Sequence, residues 1–349
     1  MSKKLAIIGL GVAARTIHLP AYKKLSQIEV VGGFDPNVGG EEFPFPVYKS
    51  VSELLEKSQP DIVSIATPTQ FHFDHTKSAL DFGCHVFCEK PFMSSLNEAD
   101  EIIRLANQKG KWVVVNNEFR CMEIHSAAKA MIGKPSFGAL QFVSMTQTFQ
   151  RTDQSEAGWR GGDPQRTAKE FGIHALDLCR FYFNEDPHTI SARMPKGDTP
   201  TSPDYLNLIN LEFSGDRVAH ILLDRISRGP HRYLDTRLDG TEGCIEMGIG
   251  GKVEARLGIK GGSRRPYAGL DISLGGQARL YGGEKSRKLA TDPFDLFPNA
   301  TANLMRHFLN ALEKGSTPMC HAEDNRKTLA LMLAAYESSA RGAPVSMRY

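Results

Sequence analysis

The sequence predicts an α/β protein in two parts: a doubly wound parallel sheet over residues 1–122, then an α+β domain over 123–349 built on a large, open, mostly antiparallel sheet. Three observations carry this. Strand and helix signals alternate through the first third, the first strand runs straight into a glycine turn, and long strands succeed one another with few helices after residue 133.

The elements follow in order. "KLAIIGLG" is a buried strand ending in glycines, "TIHLPAYKKL" is helical, "IEVVGGFD" is a second strand, "SVSELLEKS" a helix and "DIVSIATP" a third strand. The helix "FHFDHTKSALDFG", the strand "HVFCEKP", a helix over 95–109 with Ser95 or Asn97 as N-cap, and the strand "WVVVNN" complete the first part. Right-handed crossovers make such a βαβ series a parallel sheet, and ligands of these sheets bind at the carboxyl ends of the strands. Those ends read "GLGVAA", "FDP", "ATPT", "EKPF" and "NNEFR". A connecting helix, "EIHSAAKAMIG", leads to the long strands "FGALQFVSMTQTF", "YLNLINLEFS", "RVAHILLDRIS" and "YLDTRLDGTEGCIEM", the pattern of a sheet packed on helices. Residues 260–298 are rich in glycine and charge and read as loops with one or two short strands.

Bulk composition excludes several classes of partner. With 349 residues, 41% hydrophobic content and a net charge of +2 without any basic run, nothing suggests nucleic acid or an anionic membrane. The expected ligand is a small molecule. No apolar run is long enough for a transmembrane helix and the start lacks the pattern of a signal peptide, so a cytoplasmic location is expected. The six scattered cysteines suit reduced thiols. "CHVFC" would put Cys84 and Cys88 on one face of a strand and His85 on the other, with no second ligand pair, so no metal site is expected.

Gly9, Gly11 and Ala14 form a G-x-G-x-x-A pattern. Glycine is abundant, so the spacing alone fits a simple tight turn equally well. Its context is more telling: it follows a strand, opens a helix, and is joined by Asp35 at the end of the second strand, where a carboxylate can bind both ribose hydroxyls of an adenosine. Gly9 permits the turn, Gly11 lets the backbone approach a pyrophosphate, and Ala14 lets the helix pack close. Asp35, followed by Pro36 and Asn37, would repel a 2′-phosphate, which favours NAD while leaving NADP possible. At the same crevice mouth stands Lys90, fixed between a strand and Pro91; spacing alone leaves open whether it is a solvated charge or a chemical group.

The succession Gly9-Leu10-Gly11-Val12-Ala13-Ala14, the block "ATPTQFHFDHTKSALDFGCHVFCEKP" at 66–91, "GIHALD" at 172–177 and "LALMLAAYESSARGAPV" at 329–345 resemble the Gfo/Idh/MocA oxidoreductases over nearly the whole chain. The resemblance implies an N-terminal Rossmann domain and a C-terminal open-faced sheet whose outer side joins subunits, hence a homo-oligomer, a dimer or tetramer. It also implies that Gly9, Leu10, Gly11, Val12, Ala13, Asp35, Thr67, Pro68, His72, Glu89, Lys90 and Asn117 bind the cofactor, that Lys90 meets the reacting oxygen, and that the Lys90–Pro91 peptide is cis.

In "AKEFGIHALDLCRFYF", Phe171, Ala175, Leu178 and Tyr182 share an apolar face, while Glu170, His174 and Asp177 recur at i, i+4 and i+7 on another. A histidine one turn from a carboxylate is a general acid/base unit, although a structural hydrogen bond and ion pair fit as well. By resemblance His174 and Asp177 match the family helix, whereas Glu170 stands where an aspartate is usual and "DPQRTAK" replaces a glycine-rich approach. The implied reaction is hydride transfer between the nicotinamide and a secondary alcohol or ketone of a sugar, cyclitol or related polyol, with His174 moving the proton, Lys90 polarising the oxygen and Glu170 orienting His174 or binding a neighbouring hydroxyl. Arg120, Trp159 and Arg166 are further substrate candidates, Arg166 also reading as an exposed helix arginine. Two alternatives stand beside this: an enzyme using held NAD transiently to cleave a glycosidic bond, and a non-catalytic dinucleotide-binding regulator.

Overall fold

The computed structural model describes residues 2–38, 42–150, 163–196, 203–259, 266–273, 275–283 and 285–349. Five strands, β1 (Lys3–Ile8), β2 (Ile28–Phe34), β3 (Ile62–Ile65), β4 (His85–Cys88) and β5 (Val113–Val115), pair in parallel in the order β2-β1-β3-β4-β5. The order reverses between β1 and β3, so the turn after β1 opens at the switch point where such sheets bind ligands.

The alternation of side chains sorts this sheet's two faces. Ala6, Ile8, Val63, Ile65, Val86 and Val115 bury against α2 (Val51–Ser58), α3 (His72–Phe82) and α4 (Leu96–Lys109). Ser95 caps α4, its hydroxyl accepting from the Glu98 amide at 3.2 Å, and Gly110 ends it in the left-handed conformation. The opposite face, with Leu5, Ile7 and Val114, packs on α1 (Leu19–Tyr22), which continues a π turn over Ala14–His18, and on Leu304, Met305 and Phe308 of α7 (Leu296–Lys314). A division at residue 122 therefore leaves the first sheet half covered: α7, from far down the chain, returns to close it. Cys84 and Cys88 lie on the α2–α4 side, whereas His85 meets the Phe308 ring edge-on at 6.1 Å.

The second part starts with α5 (Glu123–Met131) and β6 (Leu140–Thr148). After α6 (Ile173–Phe183), the strands β7 (Thr189–Arg193), β8 (Leu206–Phe213), β9 (Arg217–Asp224), β10 (Arg232–Gly240), β11 (Cys244–Gly248), β12 (Lys252–Ile259), β13 (Pro266–Ser273), β14 (Gln277–Gly282) and β15 (Lys285–Thr291) follow. After α7 come α8 (Ala322–Arg341) and β16 (Val345–Ser346). The large sheet runs β15-β14-β11-β10-β6-β9-β8-β7-β16, antiparallel except for β6 beside β9, and β12–β13 is a separate hairpin. The expected single strand "YLDTRLDGTEGCIEM" is a hairpin, since the stretch around Gly240 and Gly243 turns the chain. The described residues of 260–298 form three strands and the start of α7, more order than their glycine content suggests. Among the described residues, no helix is long and apolar enough to cross a membrane.

Helix α6 is not two-faced. All its residues but Phe181 are buried, because it lies between the large sheet, α8 and the 3₁₀ turn Glu118–Cys121. Burying its polar residues demands partners. Arg120 grips Asp177 through two bonds of 2.6 Å, from Nε and from an Nη, and its other Nη sits 2.8 Å from Asp324 of α8. Arg180 binds Asp324 at 2.7 Å, Asp186 at 2.7 Å and Thr328 at 2.8 Å. The charges are thus compensated within one network, and removing a single partner strands the rest.

Asp177→Ala is expected to cost about 3–5 kcal/mol in denaturant unfolding, because it leaves the Arg120 guanidinium buried with fewer partners. Pairing Asp177→Leu with Arg120→Met is expected to recover much of that loss; a single variant that unfolds like the parent would contradict this account.

Candidate active site

The glycine turn answers two different constraints. Gly9 has φ of +92°, and a Cβ there would lie 2.8 Å from the Ala66 backbone and from Thr67 Cγ2, so only glycine fits. At Gly11 a Cβ would meet nothing within 4 Å. The protein's own packing leaves that backbone open, and Val12 beside it is 70% exposed. Leu10 buries its side chain, while its amide donates to Asp35 Oδ2 at 2.8 Å and the Asn37 amide donates to Oδ1 at 2.8 Å. The carboxylate is thereby fixed at the end of β2, with lone pairs left for further donors. Thr67 adds a buried hydroxyl without a hydrogen-bond partner. An open backbone, an anchored carboxylate and an orphan hydroxyl at adjacent strand ends fit a dinucleotide.

Farther along the crevice, β4 ends in Glu89 and Lys90, and the Lys90–Pro91 peptide is cis. Glu89 Oε1 lies 2.8 Å from His18 Nε2 and accepts from Asn116 Nδ2 at 2.8 Å. Burial alone would raise this carboxyl, but the His18 hydrogen bond and charge, with Lys90 and Asn116, outweigh it and lower it to about 2. His18 is held in turn, its Nδ1 lying 3.0 Å from the Tyr22 hydroxyl, which donates to Ser64 at 2.8 Å.

Lys90 then crosses to the second domain. Its Nζ donates to the backbone carbonyl of Glu170 at 2.8 Å, in a π turn over Ala168–Gly172 that precedes α6. His174 follows on α6, 6% exposed, its ring 3.9 Å from that of Phe119 and 7° from parallel. Its Nδ1 is buried without a partner. Burial, and next the positive charge of Lys90, hold this imidazole well below the ordinary histidine range, so it is neutral at neutral pH.

Several expected roles fall elsewhere. His72 is fully buried with Nε2 2.9 Å from the Thr67 carbonyl and Nδ1 3.0 Å from that of Pro91; it staples the β3 and β4 loops together and does not line the crevice. Asn117 turns away from the cofactor side and bonds Asn325 of α8. Arg120 is taken up by Asp177 and Asp324, which removes it from substrate contact. Arg166 is 4% exposed, not a surface arginine, and pairs through Nε with Glu170 Oε2 at 3.3 Å. Glu170 accordingly directs its carboxylate to Arg166 and does not orient His174, and Asp177 does not either. Trp159 lies outside the described residues.

Comparison with known proteins agrees with the fold. Residues 3–117 match the model of an oxidoreductase family with an NAD-binding Rossmann fold, and residues 125–246 match the Gfo/Idh/MocA C-terminal domain. The chain belongs to the Gfo/Idh/MocA oxidoreductase family. A D-apiose dehydrogenase of Paraburkholderia graminis is 25% identical over 98% of this chain and 89% of its own. A scyllo-inositol 2-dehydrogenase (NADP+) of Bacillus subtilis is 23% identical over 96% of this chain and 93% of its own. In fold, an oxidoreductase of Agrobacterium radiobacter, solved in complex with NAD+, L-tartaric acid and magnesium, superposes with a TM-score of 0.82 at 22% identity, covering 99% of this chain and 98% of that one.

Within this Gfo/Idh/MocA site, four residues escape a reading of the sequence: His18, Asn116, Glu118 and Phe119. Asn116 and Asn117 are adjacent at the end of β5, and strand alternation sends one to Glu89 and the other to Asn325. Phe119 resembles any core aromatic until α6 is docked on it.

The two glycines should separate in experiment. Gly9→Ala is expected to lose about 1–3 kcal/mol of stability through backbone strain. Gly11→Ala should unfold within about 0.5 kcal/mol of the parent yet bind NAD on the order of tenfold more weakly by titration calorimetry; parent-like binding would show that the dinucleotide does not cross Gly11.

Proposed function

We propose that the protein transfers a hydride between NAD and a secondary alcohol or ketone of a sugar, cyclitol or related polyol. One observation carries this reading: Lys90 spans from the dinucleotide crevice to the carbonyl of Glu170, one helical turn from a neutral, buried His174. Bound NAD supplies the hydride acceptor, so that an alcohol carbon loses its hydrogen and becomes a carbonyl carbon. Residues of this chain handle the rest. Asp35 holds the adenosine ribose and disfavours a 2′-phosphate, and Gly11 leaves room for the pyrophosphate.

His174 takes the hydroxyl proton in the oxidative direction and returns it in the reductive one. Its neutral form accepts that proton at neutral pH, and the low proton affinity makes the imidazolium a strong acid, suited to giving the proton back. The Phe119 ring keeps the imidazole plane fixed, so little reorganisation precedes transfer. Lys90 donates to the reacting oxygen and stabilises the negative charge that develops on it as the O–H bond breaks.

The six cysteines form no disulfide, which supports a reducing, cytoplasmic setting. A homo-oligomer is supported by the outer side of the large sheet, where Phe142 pairs with Val218 and Leu208 with Leu222, all partly exposed. Val218→Arg with Leu222→Arg should shift the assembly to monomer in sedimentation; an unchanged mass would remove this face as the interface.

The decisive assay offers NAD and then NADP with a panel of sugars, sugar acids and cyclitols and follows reduced-nicotinamide absorbance. Lys90→Met and His174→Asn are each expected to lower kcat by about 10²–10⁴-fold while NAD binding stays within a few-fold. Because the neutral imidazole is the active form and its value lies below the ordinary one, the oxidative rate should hold level as pH falls through 6.5 and drop only at lower pH. Binding of NAD with no reduction by any polyol would instead favour the non-redox use of the cofactor.

A further inference from the structure

Glu118 opens the 3₁₀ turn after β5, and its backbone is fixed on both sides. Asn117 before it is bonded to Asn325, Phe119 after it is stacked on His174, and Arg120 is locked to Asp177. The side chain is 4% exposed, and its Oε2 is buried with no hydrogen-bond partner. The charges it interacts with are Glu89 and Lys90 at the end of β4 and Asp177 of α6; Tyr233 of β10, which also feels Glu170, and Cys121 on the same turn are its other titratable neighbours.

Among these groups the cation is Lys90, whose Nζ donates to the Glu170 carbonyl and not to Glu118. Glu89, clamped by His18 and Asn116, keeps the negative charge. A second buried carboxylate beside it would have little more than its own backbone amide and the charge of Lys90 to offset its burial and the anion at Glu89. Two carboxyls placed in such unequal surroundings divide into one anion and one acid. The outcome is a carboxylic acid on the turn that stacks on His174, with its Oε2 buried and unpartnered among the described residues.

Resting on the oxidoreductase reading above, we propose that Glu118 is a substrate-binding hydrogen-bond donor: its un-ionised carboxyl donates to the hydroxyl or carbonyl oxygen on the carbon next to the one oxidised, and so selects vicinal diols and their α-hydroxy ketone products. Lys90 and His174 hold the reacting oxygen, and Glu118, next to Lys90, is set for its neighbour. A site built to bond a substrate oxygen rejects the analogue that lacks it, because its own polar group is then left unmatched. Burial, and next the Glu89 charge, raise this carboxyl to about 8, which keeps it protonated at neutral pH.

Two measurements test the proposal, and the first needs no turnover. The folded protein retains a proton that the unfolded chain releases, so stability should fall as pH rises from the ordinary carboxyl range toward 8, and Glu118→Gln should not show this component. A stability difference between the two that does not change with pH would overturn the protonated state. The second measures kcat/KM for sugars and cyclitols, each paired with its monodeoxy analogues. For vicinal diols the parent should lose activity above pH 8 and Glu118→Gln should lack that limb. Glu118→Leu should lower kcat/KM for the diol about 10–100-fold and leave that for the deoxy analogue nearly unchanged. Equal losses on both would overturn the contact. If the parent oxidises no polyol, the oxidoreductase reading fails and takes the donor role with it, while the stability measurement still reports whether Glu118 holds its proton.

Discussion

The site depends on the fork between Arg120 and Asp177. Both bonds are 2.6 Å and both groups are almost fully buried, so this contact fixes the turn after β5 against α6 to within a narrow range of positions. Three residues of the site hang on those two elements: Glu118 and Phe119 on the turn, His174 on the helix. Burying so much charge is costly, and hydrophobic residues of the same volume would stabilise the fold at least as well. What they would not provide is a single orientation. Planar guanidinium and carboxylate groups meet in one geometry, and Asp324 and Thr328 bind what remains of them, so the network positions the site more than it stabilises the chain.

Charge is sorted as strictly as position. Within one crevice, Glu89 is held as an anion by His18 and Asn116, Lys90 is held at a carbonyl, His174 is kept neutral, and Glu118 is kept protonated. These states are mutually dependent. Burial and then the anion at Glu89 deny a charge to Glu118, and burial and then the cation at Lys90 deny one to His174. A protein interior cannot carry several isolated charges, so the ionised groups dictate the neutral forms around them.

How much of this was legible in the sequence follows the range of the forces involved. Period-two burial and turn residues are local, so the parallel sheet, the Ser95 cap and the placing of Gly9, Asp35, Glu89 and Lys90 at strand ends could be read directly. Contacts set by distant segments could not. The family resemblance implied a cofactor role for His72, yet its partners are the backbone carbonyls of Thr67 and Pro91. Arg120 looked like a substrate arginine because its partners, Asp177 and Asp324, lie 57 residues away and farther. That α7 closes the first sheet was likewise invisible, since its apolar face would suit either domain.

The departure at Glu170 shows how a local irregularity changes a role without removing it. Spacing of i and i+4 aligns Glu170 with His174 only if the helix is regular, and the π turn over Ala168–Gly172 breaks that regularity at the residue concerned. The longer side chain reaches back to Arg166, and the backbone carbonyl, not the carboxylate, meets Lys90. A carbonyl cannot titrate, so the Lys90 anchor is insensitive to the exchange of aspartate for glutamate. His174 consequently lacks a carboxylate to set its ring, and the Phe119 face, 3.9 Å away and nearly parallel, takes over that orientation. Stacking fixes the plane of an imidazole without raising its proton affinity, whereas a carboxylate would do both. The neutral histidine at this site thus rests on burial and the Lys90 charge, with no carboxylate bonded to the ring to oppose them.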